Sequence, residues 1–287
     1  MWTRSEQRGA FRSLVQLVLP RTGVHTAPGR SRSSLRGPSR ERTLPSVGPF
    51  LGIAAVTAVA AAAQAISGFG FSLIAVPLIA LLAGPKAAVV GTAIIGLLLT
   101  WGIMLRERGN VRWATVAVVA LAAFAGMPVG LYVLSTIGDR GLLLVIGLAV
   151  LLIAIALWRG LSVPAGRGTE VAAGALSGAL ATSTGTNGPP LVIAFHSADM
   201  SPGEFRGTLS AAFAAQGLVA LAGFWLTGHL TFDAGRVAVA ALPGLALGWL
   251  IGERFFARTR ADRFRNVVLL MLAASGAASL ISALADR

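Results

Sequence analysis

Two stretches of sequence decide how this chain folds: AAAQAISGFGFSLIAVPLIALL (residues 61–82) and GALSGALATSTGTNGPPLVIAF (residues 174–195). In both stretches Gly, Ser and Pro interrupt an apolar run, and the second adds Thr and Asn. The similarity continues behind them, since the Gly-Thr pair that ends GPKAAVVGT (residues 84–92) recurs 116 residues later in SPGEFRGT (residues 201–208). Paired interruptions at corresponding places in two halves indicate the binding site of a transporter. The pattern therefore predicts two repeats, each containing a broken membrane helix.

The composition is that of an integral membrane protein. Of the 287 residues, 55% are hydrophobic and 12% are charged, and the mean hydropathy is +0.76. A soluble domain carries about 25% charged residues. The chain has no cysteine and three scattered histidines, which excludes disulfides and thiolate chemistry and offers no cluster of metal ligands. We therefore expect no cofactor, no metal and no enzyme activity.

The formal net charge is +13, and much of it lies in an N-terminal tail, residues 1–48, which holds nine Arg and two Glu. The tail is rich in Arg, Ser, Gly and Pro without a period, so we expect it to be disordered. It is either an unstructured leader or a regulatory or lipid-binding arm. No face combines basic and aromatic residues, so we expect no nucleic-acid partner.

Ten apolar segments follow the tail, and the ones beside the two breaks are shorter than the others. A helix needs about 20 residues to span the hydrocarbon core. We therefore interpret the short segments as two broken helix pairs, 49–66 with 69–83 and 171–182 with 188–198. The prediction is a first membrane repeat over residues 49–158, a polar linker over 159–170 and a second membrane repeat over 171–287.

Loop charges predict how the two repeats are oriented. Arginines cluster in the loops at 106–112, 159–167 and 254–265, and the positive-inside rule places all three in the cytoplasm. All three loops can lie in the cytoplasm only if each broken helix pair enters the membrane and returns to the side from which it started. The predicted fold is then all-α, a polytopic transmembrane helical bundle of two inverted repeats, each a broken helix pair plus three spanning helices. The Arg-rich tail would lie outside, so either it is absent from the mature chain or the first pair crosses once.

A helix break inside a membrane is tolerated only where it is buried in protein or lines a cavity. A helix that begins after a break offers free N–H groups and the positive end of its dipole, and Ser, Thr and Asn add donors. We therefore predict an anion site without a buried charge. Its predicted substrate-binding residues are Gln64, Ser67, Gly68, Gly70, Ser183, Thr184, Gly185, Thr186, Asn187, Gly188, Arg206 and Gln216.

Each of these residues also has a purely structural interpretation. Small residues let membrane helices pack closely, and Gln64 and Gln216 are equally able to join helices by hydrogen bonds. Arg206 is as compatible with a surface anchor as with a substrate contact. Residues 182–190 carry most of the polar groups, so we place selectivity there and assign Ser67–Gly70 to closing the pocket.

The carboxylates argue against a proton relay within the membrane. We expect the acidic residues Asp139, Asp199, Glu204 and Asp233 to fall in loops, which leaves no carboxylate clearly at membrane depth. His196 falls at the end of a short half-helix, where a structural role is favoured over proton transfer.

At these breaks the chain resembles the sulfite exporter TauE/SafE family of bacterial membrane permeases. The resemblance rests on Ser67-Gly68-Phe69-Gly70 with Pro77, on Gly185-Thr186-Asn187-Gly188-Pro189-Pro190, and on Arg206-Gly207-Thr208. It implies a multi-pass protein of the bacterial plasma membrane that exports sulfite or an organosulfonate by alternating access. Phe71 in the first break and Thr186-Asn187 in the second depart from the family's glycine-rich pattern.

The expected partners are the lipid bilayer and a small anionic substrate, with a homodimer left open. Three other classes of protein remain as alternatives. A membrane enzyme would need a nucleophile and base or a metal site, and a channel more often carries rings of like charge. A membrane assembly or accessory protein without transport activity need not keep polar groups at both breaks.

Overall fold

The computed structural model describes residues 47–160, 163–196, 198, 200–256, 273 and 276–285. The regular elements among them are all helical. The ten α-helices are α1 (Val47–Ser67), α2 (Phe71–Ala83), α3 (Pro85–Glu107), α4 (Trp113–Thr136), α5 (Asp139–Trp158), α6 (Arg167–Ser183), α7 (Gly188–His196), α8 (Pro202–Leu226), α9 (Phe232–Phe256) and α10 (Gly276–Ala285). The predicted disordered tail over residues 1–48 lies almost entirely outside the described residues, as do Asp199 and the arginines from 258 to 265.

Both predicted helix breaks are confirmed. The first separates α1 from α2, where Gly68 has a φ of 82° and Gly70 a φ of 104°. Residues with a side chain rarely adopt this left-handed backbone conformation, so glycine at these positions allows the chain to turn. The second separates α6 from α7, with Gly185 at a φ of 70°. Pro189 and Pro190 follow in the first turn of α7, where a missing N–H does no harm to the helix.

Among the described residues, six helices are long and apolar enough to cross a membrane: α1, α3, α4, α5, α8 and α9. The expectation that both members of each broken pair are short is therefore wrong for α1, which contains a largely apolar span of 20 residues. By contrast, α2 has 13 residues and α7 has nine, fewer than the about 20 that a bilayer core requires.

Three acidic residues predicted in loops lie instead in the first turns of helices. Asp139 begins α5 and Asp233 is the second residue of α9. Glu204 completes a capping box at the start of α8, where its carboxylate accepts the backbone N–H of Ser201 while the Ser201 hydroxyl accepts that of Glu204. Such a box satisfies two otherwise free N–H groups. The apolar pattern placed this helix from residue 207, so the polar first turn was missed.

Close glycine contacts fix the two most extensive helix pairs. On α9, a Cβ at Gly244 or Gly248 would overlap the carbonyl oxygen of Ala54 or Ala58 on α1. On α4, a Cβ at Gly126 would overlap the carbonyl oxygen of Ala175 on α6. Small residues spaced four apart let membrane helices approach to backbone contact. The first broken pair is thereby held to α9 and the second to α4.

The centre of the bundle is formed by α3 and α8, which run antiparallel. Position 217 on α8 faces Leu97 on α3, and position 207 faces Glu107. Both broken pairs pack around these two helices, α2 against α3 and α7 against α8. The polar groups of the two breaks therefore meet beside the α3–α8 interface.

Candidate functional site

A cavity of about 60 Å³ lies between the two breaks. About 10–15 Å³ is enough to hold one water, so the cavity has room for a molecule of a few heavy atoms. Its lining combines both breaks with α3 and α8: Gln64, Gly70, Phe71, Ser72, Leu73, Thr92, Ala93, Gly96, Leu97, Thr100, Ala181, Gly185, Asn187, Gly188, Phe213, Gly217 and Ala220. Five of the twelve predicted site residues are among them: Gln64, Gly70, Gly185, Asn187 and Gly188.

Gln64 joins the two sides of the first break. Its Oε1 atom accepts the backbone N–H of Phe71 at 3.0 Å, which caps the start of α2. Gln64 is 4% exposed and lines the cavity, and its Nε2 atom has no hydrogen-bond partner among the described residues. The side chain thus ties two helices together beside the cavity, and substrate binding by Gln64 stays a prediction.

The other residues of the first break shape the backbone. The Ser67 hydroxyl lies 2.8 Å from the carbonyl oxygen of Ala63 and 2.6 Å from that of Phe69. A Cβ at Gly68 would lie 3.2 Å from the Cα atom of Arg206 on α8, tighter than most real contacts. Ser67 and Gly68 therefore close the turn and seat it on α8, and they do not line the cavity.

Asn187 anchors the second break. Its Nδ2 atom donates to Oε1 of Gln216 at 2.9 Å, and its carbonyl oxygen accepts the Ser177 hydroxyl at 2.8 Å. Gln216 is fully buried, and its own Nε2 atom has no partner within the described part of the chain. Gln216 stands behind the cavity wall, so it positions Asn187 and does not line the cavity itself.

Three predicted hydroxyl donors of the second break belong to residues that do not line the cavity. The Ser183 hydroxyl donates to the carbonyl oxygen of Ala179 at 2.7 Å. The hydroxyls of Thr184 and Thr186 bond to each other at 2.7 Å. Hydroxyls near a helix end commonly bond to local groups in this way. Substrate binding by these three residues stays a prediction, and their described contacts are structural.

Backbone donors border the cavity at both breaks. The first N–H groups of a helix lack partners inside the helix. At the start of α2, Phe71, Ser72 and Leu73 all line the cavity, and the Phe71 N–H is taken by Gln64. At the second break Gly185, Asn187 and Gly188 line the cavity, whereas Pro189 and Pro190 carry no N–H. The assignment of selectivity to residues 182–190 stays a prediction.

Two threonines of α3 were missed as lining residues. Thr92 and Thr100 lie eight residues apart, on one face of the helix, and both border the cavity. The Thr92 hydroxyl donates to the carbonyl oxygen of Ala88 at 2.6 Å. The repeat did not indicate this, because Thr208, the repeat partner of Thr92, does not line the cavity and accepts the N–H of Arg112 instead.

Arg206 is neither a surface anchor nor a group at the mouth of the cavity. It is 1% exposed. Its guanidinium forms ion pairs with Glu107 of α3, at 3.5 Å, and with Glu253 of α9. Glu253 also pairs with Arg106 at 3.3 Å. Arg206 does not line the cavity, and none of the lining residues carries a charge, so the prediction of an anion site without a buried charge stays a prediction.

Comparison with known proteins adds an independent finding. A family model described as Sulfite exporter TauE/SafE matches residues 53–279. A protein of Cupriavidus necator (strain ATCC 17699 / DSM 428 / KCTC 22496 / NCIMB 10442 / H16 / Stanier 337) named "Probable sulfite/organosulfonate exporter TauE" is 28% identical over 248 residues, which is 82% of this chain and 95% of that protein. No solved structure matches the chain. The matched residues include both breaks and the whole cavity lining.

Proposed function

Because this chain belongs to the sulfite exporter TauE/SafE family, we propose that it exports a small sulfur-containing anion, sulfite or an organosulfonate, across the bacterial plasma membrane. The six apolar spans agree with a multi-pass membrane transporter. The related Cupriavidus protein carries the name of a sulfite/organosulfonate exporter. The rest of the proposal concerns the site and the transport cycle.

The observation that carries the proposal is the donor side of the cavity. Gln64 lines the cavity, and so do Phe71, Ser72 and Leu73 at the start of α2. A helix start favours negative charge through its free N–H groups and its dipole. The lining also includes the apolar side chains of Phe213 and Ala220. The cavity therefore offers donors that suit a sulfonate or sulfite oxygen and apolar surface that suits a short carbon chain.

Two inverted repeats and alternating access form the second part of the proposal. The first repeat contains α1 to α5 and the second α6 to α10. In the two repeats α1 corresponds to α6, and α4 corresponds to α9. The α1–α9 pair of helices therefore corresponds to the α6–α4 pair, and glycines allow close packing in both pairs. The loop arginines support opposite orientations of the halves. Rocking of one unit against the other around a fixed site is the usual cycle of such transporters.

Flux measurements in proteoliposomes test the proposal. Purified protein is reconstituted, and movement of labelled sulfite, sulfoacetate, taurine and sulfate is followed with empty liposomes as the control. We expect sulfite or an organosulfonate to move, and the Gly70→Leu variant to be inactive, because a bulky residue cannot adopt the left-handed backbone of the break. An absence of flux for every anion would favour an accessory role, and flux that does not saturate would favour a channel.

A further inference from the structure

The chain carries a buried cluster of charges outside the cavity lining. Arg206 lies between Glu107 and Glu253, and Arg106 pairs with Glu253 from the more exposed side. Glu107 ends α3, Arg206 is in the second turn of α8, and Glu253 is near the end of α9. The cluster thus joins three helix ends on one side of the bundle, the side that also carries the loop arginines Arg108 and Arg112.

The cluster closes the same interface that holds the cavity. The lining position Gly217 of α8 faces Leu97 of α3, and ten residues away Gly207 faces Glu107. Ten helical residues span about 15 Å. A substrate leaving the cavity along α3 and α8 toward this end of the bundle would meet the charged cluster.

Among the described residues, the repeat position that matches Arg206 carries no charge. Arg206 directly precedes Gly207-Thr208, and in the first repeat Val90 directly precedes Gly91-Thr92. Val90 is fully buried. Its neighbour Gly91 packs against Val237 of α9. The position equivalent to Arg206 is therefore held by apolar contact and not by an ion pair.

The ion pairs also connect the two proposed repeats. Glu107 and Arg106 belong to the first repeat, whereas Arg206 and Glu253 belong to the second. Movement of one repeat against the other must break the pairs from Arg206 to Glu107 and from Arg106 to Glu253. Separating a buried pair is costly unless water or another charge replaces the partner.

We propose that the cluster of Glu107, Arg206 and Glu253 is an ionic gate that holds the cytoplasmic end of the pathway closed and opens when α3 separates from α8. This inference rests on the proposed transport function and on the cytoplasmic placement of the arginine-rich end. It names the contact that the transport cycle must break.

Access to the cavity tests the gate, and the absence of native cysteine makes the measurement free of background. Ser72→Cys places one thiol in the cavity wall, and a small impermeant methanethiosulfonate is added to inverted membrane vesicles. Adding Glu107→Gln or Glu253→Gln should raise the rate at which the reagent modifies the Ser72→Cys thiol about tenfold. The reason is that the open state, which is sparsely populated, gains population when the ion pairs of the closed state weaken. Asp233→Asn, which removes an exposed carboxylate at the opposite end of α9, should leave the rate unchanged.

A second experiment leaves the charges intact, so it remains decisive if the glutamine variants fail to fold. A Cβ at Gly203 on α8 would lie 3.5 Å from Cγ of Asn110, just beyond α3. Cysteines at these two positions are therefore neighbours, and we test them for a disulfide. Oxidation of the Gly203→Cys/Asn110→Cys variant should stop transport, and reduction should restore it.

The gate and the transport function fail in different ways. Unchanged thiol modification in folded Glu107→Gln and Glu253→Gln variants, or transport by the oxidised double-cysteine protein, overturns the gate while transport stands. Faster modification without flux of any sulfur anion supports the gate and overturns the proposed substrates.

Discussion

The Oε1 atom of Gln64 accepts the N–H of Phe71 across the first break, at 3.0 Å. The bond spans seven residues and joins the last turns of α1 to the first residue of α2. It also leaves the Nε2 atom of the same amide as the donor available to the cavity. One side chain therefore makes a structural bond and is also a predicted substrate contact, and the two roles can be separated by substitution.

Gln64→Glu should abolish transport while the protein stays folded. The carboxylate still accepts the Phe71 N–H, but it offers no donor and places a negative charge beside the anion. Loss of a hydrogen bond to a charged group costs about 1.5–3 kcal/mol, so we expect flux to fall at least about tenfold. Thermal unfolding in detergent supplies the comparison: Gln64→Leu should lower both flux and melting temperature. Normal flux in Gln64→Glu would exclude a contact between Gln64 and substrate.

Asn187→Asp should impair transport more than Asn187→Ala. Both variants remove the donor to Gln216 Oε1, and the buried acceptor loses one of its two partners at a cost of about 1–3 kcal/mol. Only the aspartate adds a charge that repels the substrate and the Gln216 oxygen. Saturation curves for sulfite efflux measure the difference. If Asn187→Asp transports as well as Asn187→Ala, the cavity does not take an anion at this wall.

Phe213→Ala should shift selectivity toward larger organosulfonates. Phe213 lines the cavity, and its ring tip lies 3.7 Å from the Cβ position of Gly188. Removing the ring enlarges the apolar side and leaves the donors in place. Competition between unlabelled organosulfonates of increasing chain length and labelled sulfite reports the shift. Phe224→Ala on the same helix is the matched control, because Phe224 is fully buried away from the lining and should lower stability without changing selectivity.

Gly244→Ala should destabilise the bundle, whereas Gly235→Ala on the same helix should not. The added methyl at position 244 collides with the backbone of α1, and position 235 has nothing within 4 Å. Overpacking a tight contact costs about 1–3 kcal/mol, while alanine in an open helical position gains about 0.5–1 kcal/mol over glycine. Melting temperatures in detergent compare the two. Equal values would mean that the α1–α9 contact does not limit stability.

The helices were largely predictable from the sequence, because their apolar runs and glycine punctuation are local signals. Both breaks and the ends of α2 and α4 fall within about two residues of the predicted segments, the usual uncertainty of helix ends. The first turn of α8 was missed since its capping residues are polar.

The side-chain contacts of the site were less predictable, because they depend on partners distant in sequence. Glu107 and Glu253 lie 99 and 47 residues from Arg206, so nothing local identified the ion cluster. For Thr184 and Thr186, the sequence indicates a hydroxyl but not its direction, and each bonds to the other. The repeat did not indicate the place of Thr92 either, because its repeat partner Thr208 does not line the cavity.

The close glycine contact between α1 and α9 has a consequence for how the protein is made. Ala54 leaves the ribosome about 190 residues before Gly244. At about 5–20 residues per second, the interval is on the order of ten seconds or longer. During that time the alanine face of α1 lies in the membrane without the helix whose backbone it contacts. The first broken pair is therefore packed against α9 only after its insertion into the membrane. A chain truncated before α9 would leave this surface of α1 uncovered and accessible to quality control.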